Sequence, residues 1–135
     1  SINDIILTLR VLGDLEADAG NHDAAHDHYE QAITIAGQID RVDVKIEALL
    51  ARGRWFAKHQ HNATAALADL DTALNMALKG EYRLYEADIR IARAWAHKAQ
   101  GNRQQLEREA SQALGMCISM GYHWGQVDAK EVLES

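Results

Sequence analysis

Proline is absent from this chain of 135 residues, where average usage near 5% would give roughly 7. Helices exclude proline because it removes an amide donor and clashes with the preceding turn. Aromatic residues make up only 6%, and Val and Ile are sparse, which disfavours strands. Ala, Leu, Gln and Glu take their place, and these are helix formers. All-β and α/β folds are thereby disfavoured. A single cysteine, Cys117, leaves no internal disulfide, so a reducing cytoplasm is the expected compartment. No run of ~18 apolar residues is available to span a membrane, and no signal peptide is visible. Positive charge is scarce: 14 Lys and Arg against 20 Asp and Glu give a net charge of −6. That argues against non-specific nucleic-acid binding, which needs a positive face. The remainder, 47% hydrophobic and 25% charged, is ordinary globular usage for one domain with its own core. The chain opens with Ser1 rather than Met, which suggests a piece of a larger protein.

An internal repeat organises the chain. Ala32, Ala73 and Ala113 lie 41 and 40 residues apart, and so do Tyr29, Leu70 and Ala110, and Ala25, Ala66 and Leu106. Gly20 and Gly101 are 81 apart, and Tyr82 and Tyr122 are 40 apart. Columns recurring at a fixed period are the signature of a repeat architecture. Each unit reads as two helices. In the first, Ile5, Leu9, Leu12, Glu16 and Ala19 follow the 3, 4 spacing of one helical face, broken once by Glu16. Gly20 suits a helix stop and Asn21 a new N-cap. Ala25, Tyr29, Ala32, Ile33 and Ala36 then share a face. Similar breaks predict helices over 3–19, 22–39, 43–59, 63–79, 83–100, 103–119 and 123–134. The three units span about 3–40, 43–80 and 83–120, and the unpaired last helix reads as a cap on a stack. Short loops make sequential helices antiparallel neighbours.

Residues 12–33, LGDLEADAGNHDAAHDHYEQAI, resemble the tetratricopeptide repeat. Gly13, Gly20, Ala25, Tyr29 and Ala32 stand in that motif's order and spacing. Ala94, Gly101, Leu106, Ala110 and Ala113 repeat it, and Gly53, Ala66, Leu70 and Ala73 do so with one extra residue before the second helix. The period exceeds the usual value of about 34, and the closing proline is missing. In this the chain resembles the arrays at the C-terminal end of bacterial multidomain signalling proteins of the STAND type. The resemblance implies an all-α, right-handed superhelical solenoid of three helical hairpins plus a capping helix. It further implies a protein-interaction or sensor module whose partner lies in a concave groove, with no catalysis of its own. Any nucleotide-binding machinery would then lie elsewhere, since Gly101 and Gly121 are isolated and form no phosphate loop.

Little points to chemistry. His22, His26 and Glu30 succeed one another four apart, but without paired thiolates or an HExxH pattern no metal site is expected. Asp14 with Asp18, and Asp69 with Asp71, read as solvated acidic surface rather than acid–base pairs. Cys117 lies in an apolar stretch and reads as a buried thiol. No cofactor is expected.

Ligand contacts are sought along the first helix of each unit. Arg83, Glu86, Arg90, Arg93, His97 and Gln100 follow one another at spacings of 3 and 4, an unbroken polar stripe. Read as the open side of a stacked helix, it puts Arg90, Arg93 and His97 in the groove. Arg54 and Lys58 continue that surface in the second unit, and Asp14 and Asp18 in the first. The groove would be acidic at its first end, basic toward the third unit, and suited to an acidic protein or peptide partner. Trp55 and Trp95, 40 apart, are core in this register and groove anchors in the register of the repeat motif. The alternative function is structural. Ile2, Ile5, Ile6 and Leu7 have no preceding helix to cover them, and a homodimer could form through that end.

Overall fold

The computed structural model describes all 135 residues and contains seven α-helices and no strands. They are α1 (Ile2–Asp18), α2 (His22–Ala36), α3 (Val42–Lys58), α4 (Ala63–Gly80), α5 (Arg83–Ala99), α6 (Arg103–Met120) and α7 (His123–Glu134). The bounds follow local chemistry. Ser1 and Asp4 form a reciprocal capping box at the start of α1. The side chains of Asn62 and Asn102 accept from the amides of Ala65 and Gln105, at 3.1 and 3.2 Å. Asn21 occupies the N-cap of α2 as its sequence suggests, but its amide donates to Glu16 instead, at 2.7 Å. Helix α2 ends at Ala36, three residues before the expected 39. Gly37 caps it, and Ile39 packs onto the core from the loop. Gly121 closes α6 in the left-handed region, at φ 67°. Glu81, 40 positions earlier, takes that role for α4 at φ 59°, a conformation that disfavours a residue with a Cβ.

Consecutive helices pair as α1 with α2, α3 with α4 and α5 with α6, and α7 lies on α6 and α5. The repeat columns are the seams of these pairs. Ala25, Tyr29 and Ala32, Ala66, Leu70 and Ala73, and Leu106, Ala110 and Ala113 are all buried. Residue sizes are matched across each seam. A Cβ on Gly13 would stand 2.6 Å from the Tyr29 ring, and one on Gly53 would stand 2.7 Å from Leu70. In the third pair, where the partner shrinks to Ala110, the small residue grows to Ala94, and both are buried in one cluster. The spacing is thus conserved by exchanging volume between facing positions.

The odd-numbered helices also touch one another in sequence, α1 with α3, α3 with α5 and α5 with α7, whereas α2, α4 and α6 do not meet. The odd-numbered helices thus share one side of the array, called the concave side here because a cavity opens on it, and the packing is consistent with a helical repeat.

One expected face is rotated. In α1 the residues packed inward are Ile6, Gly13 and Ala17. Ile5 and Leu12, on the expected apolar stripe, are half-exposed. Leu9, between them, still packs against the cluster of Ile6, Ala32, Ala36, Val44 and Ala48, so the buried face is rotated toward Ile6, Gly13 and Ala17 and leaves Ile5 and Leu12 at its edge.

Candidate interaction groove

The concave side holds a cavity of about 420 Å³ lined only by odd-numbered helices and the N-cap of α7. Arg10 comes from α1, Glu47, Leu50, Arg54 and Lys58 from α3, Tyr85, Asp88 and Trp95 from α5, and Tyr122, Asp128 and Glu131 from the cap region. Its floor is tied together by polar contacts between successive helices. Arg10 donates to Glu47 at 2.9 Å, and the Tyr85 hydroxyl donates to the other oxygen of the same carboxylate. The Tyr122 hydroxyl donates to Asp88 at 2.9 Å. Burial pushes the Tyr85 and Tyr122 hydroxyls up, and the carboxylates they donate to push further in the same direction. They therefore remain protonated donors at neutral pH. Burial also raises the Asp88 carboxyl, against the opposing effects of the Tyr122 hydrogen bond and the Arg54 charge.

Arg54 and Lys58 differ from these residues. Both are exposed, and neither takes part in any of the ion pairs of the chain. The Lys58 ammonium lies 4.8 Å from the centre of the Trp95 ring, and the Lys98 ammonium lies 5.5 Å from it, within cation–π range. Beside them, Asp14, Asp18, Trp55 and Lys58 line a second, smaller depression. Asp14 accepts from the Tyr29 hydroxyl at 2.5 Å, and Asp18 stands 3.7 Å from His59. The structure therefore brings Asp14, Asp18, Arg54, Lys58 and Trp95 to the concave side.

Arg90, Arg93 and His97 lie elsewhere, and the groove register read from polarity is corrected for this helix. Arg90 donates to Glu86 and to Glu109 of α6, at 3.0 and 3.3 Å. Arg93 pairs with Glu109 at 3.2 Å and with Asp71 of α4 at 3.5 Å. The Arg90 and Glu109 side chains are only 13% and 10% exposed. His97 is buried, with Nδ1 3.1 Å from the Gln100 side chain. The stripe faces the junction of α5 with α4 and α6, where its charges are paired rather than solvated. The polarity of the groove is corrected with it. Arg10 is paired with Glu47, so the groove's unpaired cations Arg54 and Lys58 are in the middle, on α3; Asp14 and Asp18 keep the first end acidic, and Asp88, Asp128 and Glu131 make the C-terminal end acidic rather than basic.

The two tryptophans part company. Trp55 is 4% exposed among Ala17, Ala25, Tyr29 and Ala51, and its indole N–H is buried without a partner. Trp95 is half-buried and lines the groove. Gly13, Gly53 and Ala94 mark equivalent places in α1, α3 and α5, so the first helices are offset by 40 and then 41 residues. The structural counterparts of Trp95 are thus Arg54 and Asp14, one column of the groove.

A feature that spacing alone did not reveal recurs at both internal junctions. Arg52 of α3 donates to both oxygens of Asp69 in α4, at 2.7 Å each, and to Glu30 of α2 at 2.6 Å. Its guanidinium is held above its ordinary value, chiefly by Asp69. Arg93 of α5 stands in the same place as a looser ion pair, 3.2 Å from Glu109 of α6 and 3.5 Å from Asp71 of α4, with its Nε lacking a hydrogen-bond partner. Arg52 and Arg93, and likewise Glu30 and Asp71, are 41 apart, and Asp69 and Glu109 are 40 apart. Each arginine thus staples the second helix of its own unit to that of the unit before.

Of the histidine row of α2, His22 is exposed and His26 is engaged in packing. His26 stacks 5.6 Å from Trp55 and pairs with Glu30, which also accepts from Arg52. No group of three or more His, Cys, Asp or Glu side chains is placed to hold a metal ion. Cys117 is buried, and burial raises its thiol, the opposite of what activates a nucleophile. No helix is long and apolar enough to cross a membrane. Comparison of the chain with protein-family models, with curated proteins and with solved structures finds no match.

Proposed function

We propose that this chain is a tetratricopeptide-like, right-handed superhelical module that binds an acidic segment of a partner protein on its concave side. In this reading it has no catalytic step of its own and serves as an interaction or sensor element. One observation carries the reading. Arg54 and Lys58 line the cavity without a carboxylate partner, Lys58 against the half-buried Trp95, while the cations behind the groove, Arg52, Arg90 and Arg93, already have carboxylate partners. A guanidinium grips a carboxylate through two parallel hydrogen bonds, and the indole offers an apolar surface to the neighbouring residue. The carboxylates toward α7 repel the acidic segment, so it seats over α3 rather than along the whole groove.

The test is fluorescence anisotropy with two labelled synthetic peptides. One is a Glu-rich peptide with a single Leu, and the other has each Glu replaced by Lys. The acidic peptide binds, and its affinity falls as salt is raised from about 50 to 300 mM, because exposed charges are screened. Arg54→Ala with Lys58→Ala abolishes binding and leaves the folding stability unchanged within about 0.5 kcal/mol, as at other exposed sites. Equal binding of both peptides, or acidic binding that survives the double substitution, overturns the proposal.

A further inference from the structure

The groove continues past the cavity over α3. A second depression, of about 560 Å³, opens beside it where α5 begins and shares Tyr85, Asp88 and Tyr122 with it. Tyr82 and Leu84 complete its wall, with Glu81 and Arg83. The three tyrosines are half-buried, and Leu84 is 53% exposed. Tyr82 and Tyr85 also pack on the core, but Leu84 belongs to none of the core clusters. The fold alone therefore gives no reason for a leucine at that position.

This depression offers a ligand apolar contact. The Tyr85 and Tyr122 hydroxyls already donate to Glu47 and Asp88, so neither has a further hydrogen to give. The Tyr82 ring lies over Gly80, where a Cβ would collide with it, and its centre is 6.0 Å from that of Tyr85. Glu81 and Arg83 are exposed and opposite in charge. A cation entering here meets Arg83, and the Asp88 carboxyl it would need is one whose ionisation burial opposes. An anion meets Glu81 and Asp88. An uncharged apolar side chain meets neither penalty and covers the three rings and Leu84.

Helix α5 sets the distance between the two ends of the groove. Trp95, against which Lys58 lies, and Tyr85 are ten residues apart on it, about 15 Å along the helix. An extended peptide covers that span in about four to five residues. Asp88 stands between them on the same helix and disfavours further acidic residues within the span.

We propose that the partner segment is bipartite, with an acidic pair at Arg54 and Lys58 and, about five residues along the chain, a bulky apolar side chain seated among Tyr82, Leu84, Tyr85 and Tyr122. This rests on the reading that an acidic segment occupies the groove, and adds a second anchor and its spacing. The exposed cations steer the encounter and fix the register, while the desolvated apolar anchor supplies affinity that salt does not screen.

The test is fluorescence anisotropy with labelled peptides of equal length in a Gly-Ser background. The base peptide has one Glu-Glu pair with a leucine beside it. Others add a second leucine about five or about nine residues away, on either side. The five-residue spacing binds about tenfold more tightly than the base peptide in one of the two chain directions, the scale of burying one leucine. The nine-residue spacing gives no gain. Leu84→Ser cuts the gain at least by half and leaves the base peptide unaffected, whereas Leu78→Ser, on the exposed side of α4, changes neither. As a check that does not depend on variants, a benzophenone side chain in place of the second leucine cross-links to residues 81–85 or to Tyr122, read by mass spectrometry. A base peptide that does not bind overturns the groove reading and this inference with it. If the base peptide binds, equal affinity at both spacings overturns this inference alone. So does a gain untouched by Leu84→Ser, and so does a cross-link elsewhere.

Discussion

Replacing Arg52 by Ala tests whether the paired charges between units hold the array together. Arg52 gives Asp69 two donors at 2.7 Å, and the Asp69 side chain is only 9% exposed. Truncation leaves that carboxylate buried with neither donor. Breaking one side of a buried pair costs about 3–5 kcal/mol. Arg52 is itself 18% exposed and Glu30 is 46% exposed, so solvent screens much of the second contact. We therefore expect a loss of about 3 kcal/mol. For a domain of this length that is a fall in melting temperature of roughly 10 °C, read by far-ultraviolet circular dichroism. Asp69→Ala alone should cost a comparable amount. The double variant should cost less than the sum by 1–3 kcal/mol, roughly the coupling expected of contacting residues. Arg52→Met with Asp69→Leu should recover most of the stability, since an apolar pair needs no compensating charge. A melting temperature for Arg52→Ala within about 2 °C of the parent, under 1 kcal/mol, would refute the claim that these charges are buried and coupled. The same holds for Arg90→Ala with Arg93→Ala at the next junction, where an unchanged melting temperature would return that stripe to the solvent.

Two further outcomes follow from the seams and the groove. Gly53→Ala places a methyl group 2.7 Å from Leu70, and overpacking of this kind costs about 1–3 kcal/mol. That should exceed the helix-propensity gain of about 1 kcal/mol, and chemical denaturation should show the loss. In a Leu70→Ala background the same substitution should become neutral or stabilising. A Gly53→Ala protein more stable than the parent would disprove the close approach. Asp88→Asn concerns pH. Burial raises the Asp88 carboxyl above its ordinary 3.8, so the native state binds its proton more tightly than the unfolded chain. Its contribution to stability is therefore greatest below the unfolded value and is lost as pH rises through the raised one. The Asn variant, still able to accept from Tyr122, should melt higher than the parent at pH 7. That advantage should vanish near pH 3, below both values. A variant less stable at pH 7 would mean that the attraction of Arg54 outweighs burial.

The seven helices, their pairing and the small-residue seams were legible in the sequence because they depend on local pattern. Ala25, Tyr29 and Ala32 and their counterparts recur at one period, and only a repeated contact imposes that. Helix ends were legible wherever Gly or Asn marks them, as at Gly121 and Asn102. They were less so at Ala36, where the chain leaves the helix to bring Ile39 to the core. Half of the groove was legible as well, in Arg54 and Lys58.

What the sequence by itself determined is therefore the repeat, the helical class and which side of each second helix is buried, since size and polarity at a fixed period report the seam directly. What only the tertiary structure decided is the direction of the charged side chains on the first helices. Arg54 and Arg93 look alike in the sequence. One faces open solvent at the cavity, and the other is 20% exposed against Glu109 and Asp71. A polar stripe reads as solvated unless the carboxylates that neutralise it are seen, and these stand on other helices, 16 and 22 residues away. The outer face of α1 shows the converse. Its apolar stripe reads as core, but among these residues only Leu9 of it packs inward, while Ile5 and Leu12 stay half-exposed. In both cases burial is set by the neighbours a face meets in space, whereas periodicity reports only that the face exists.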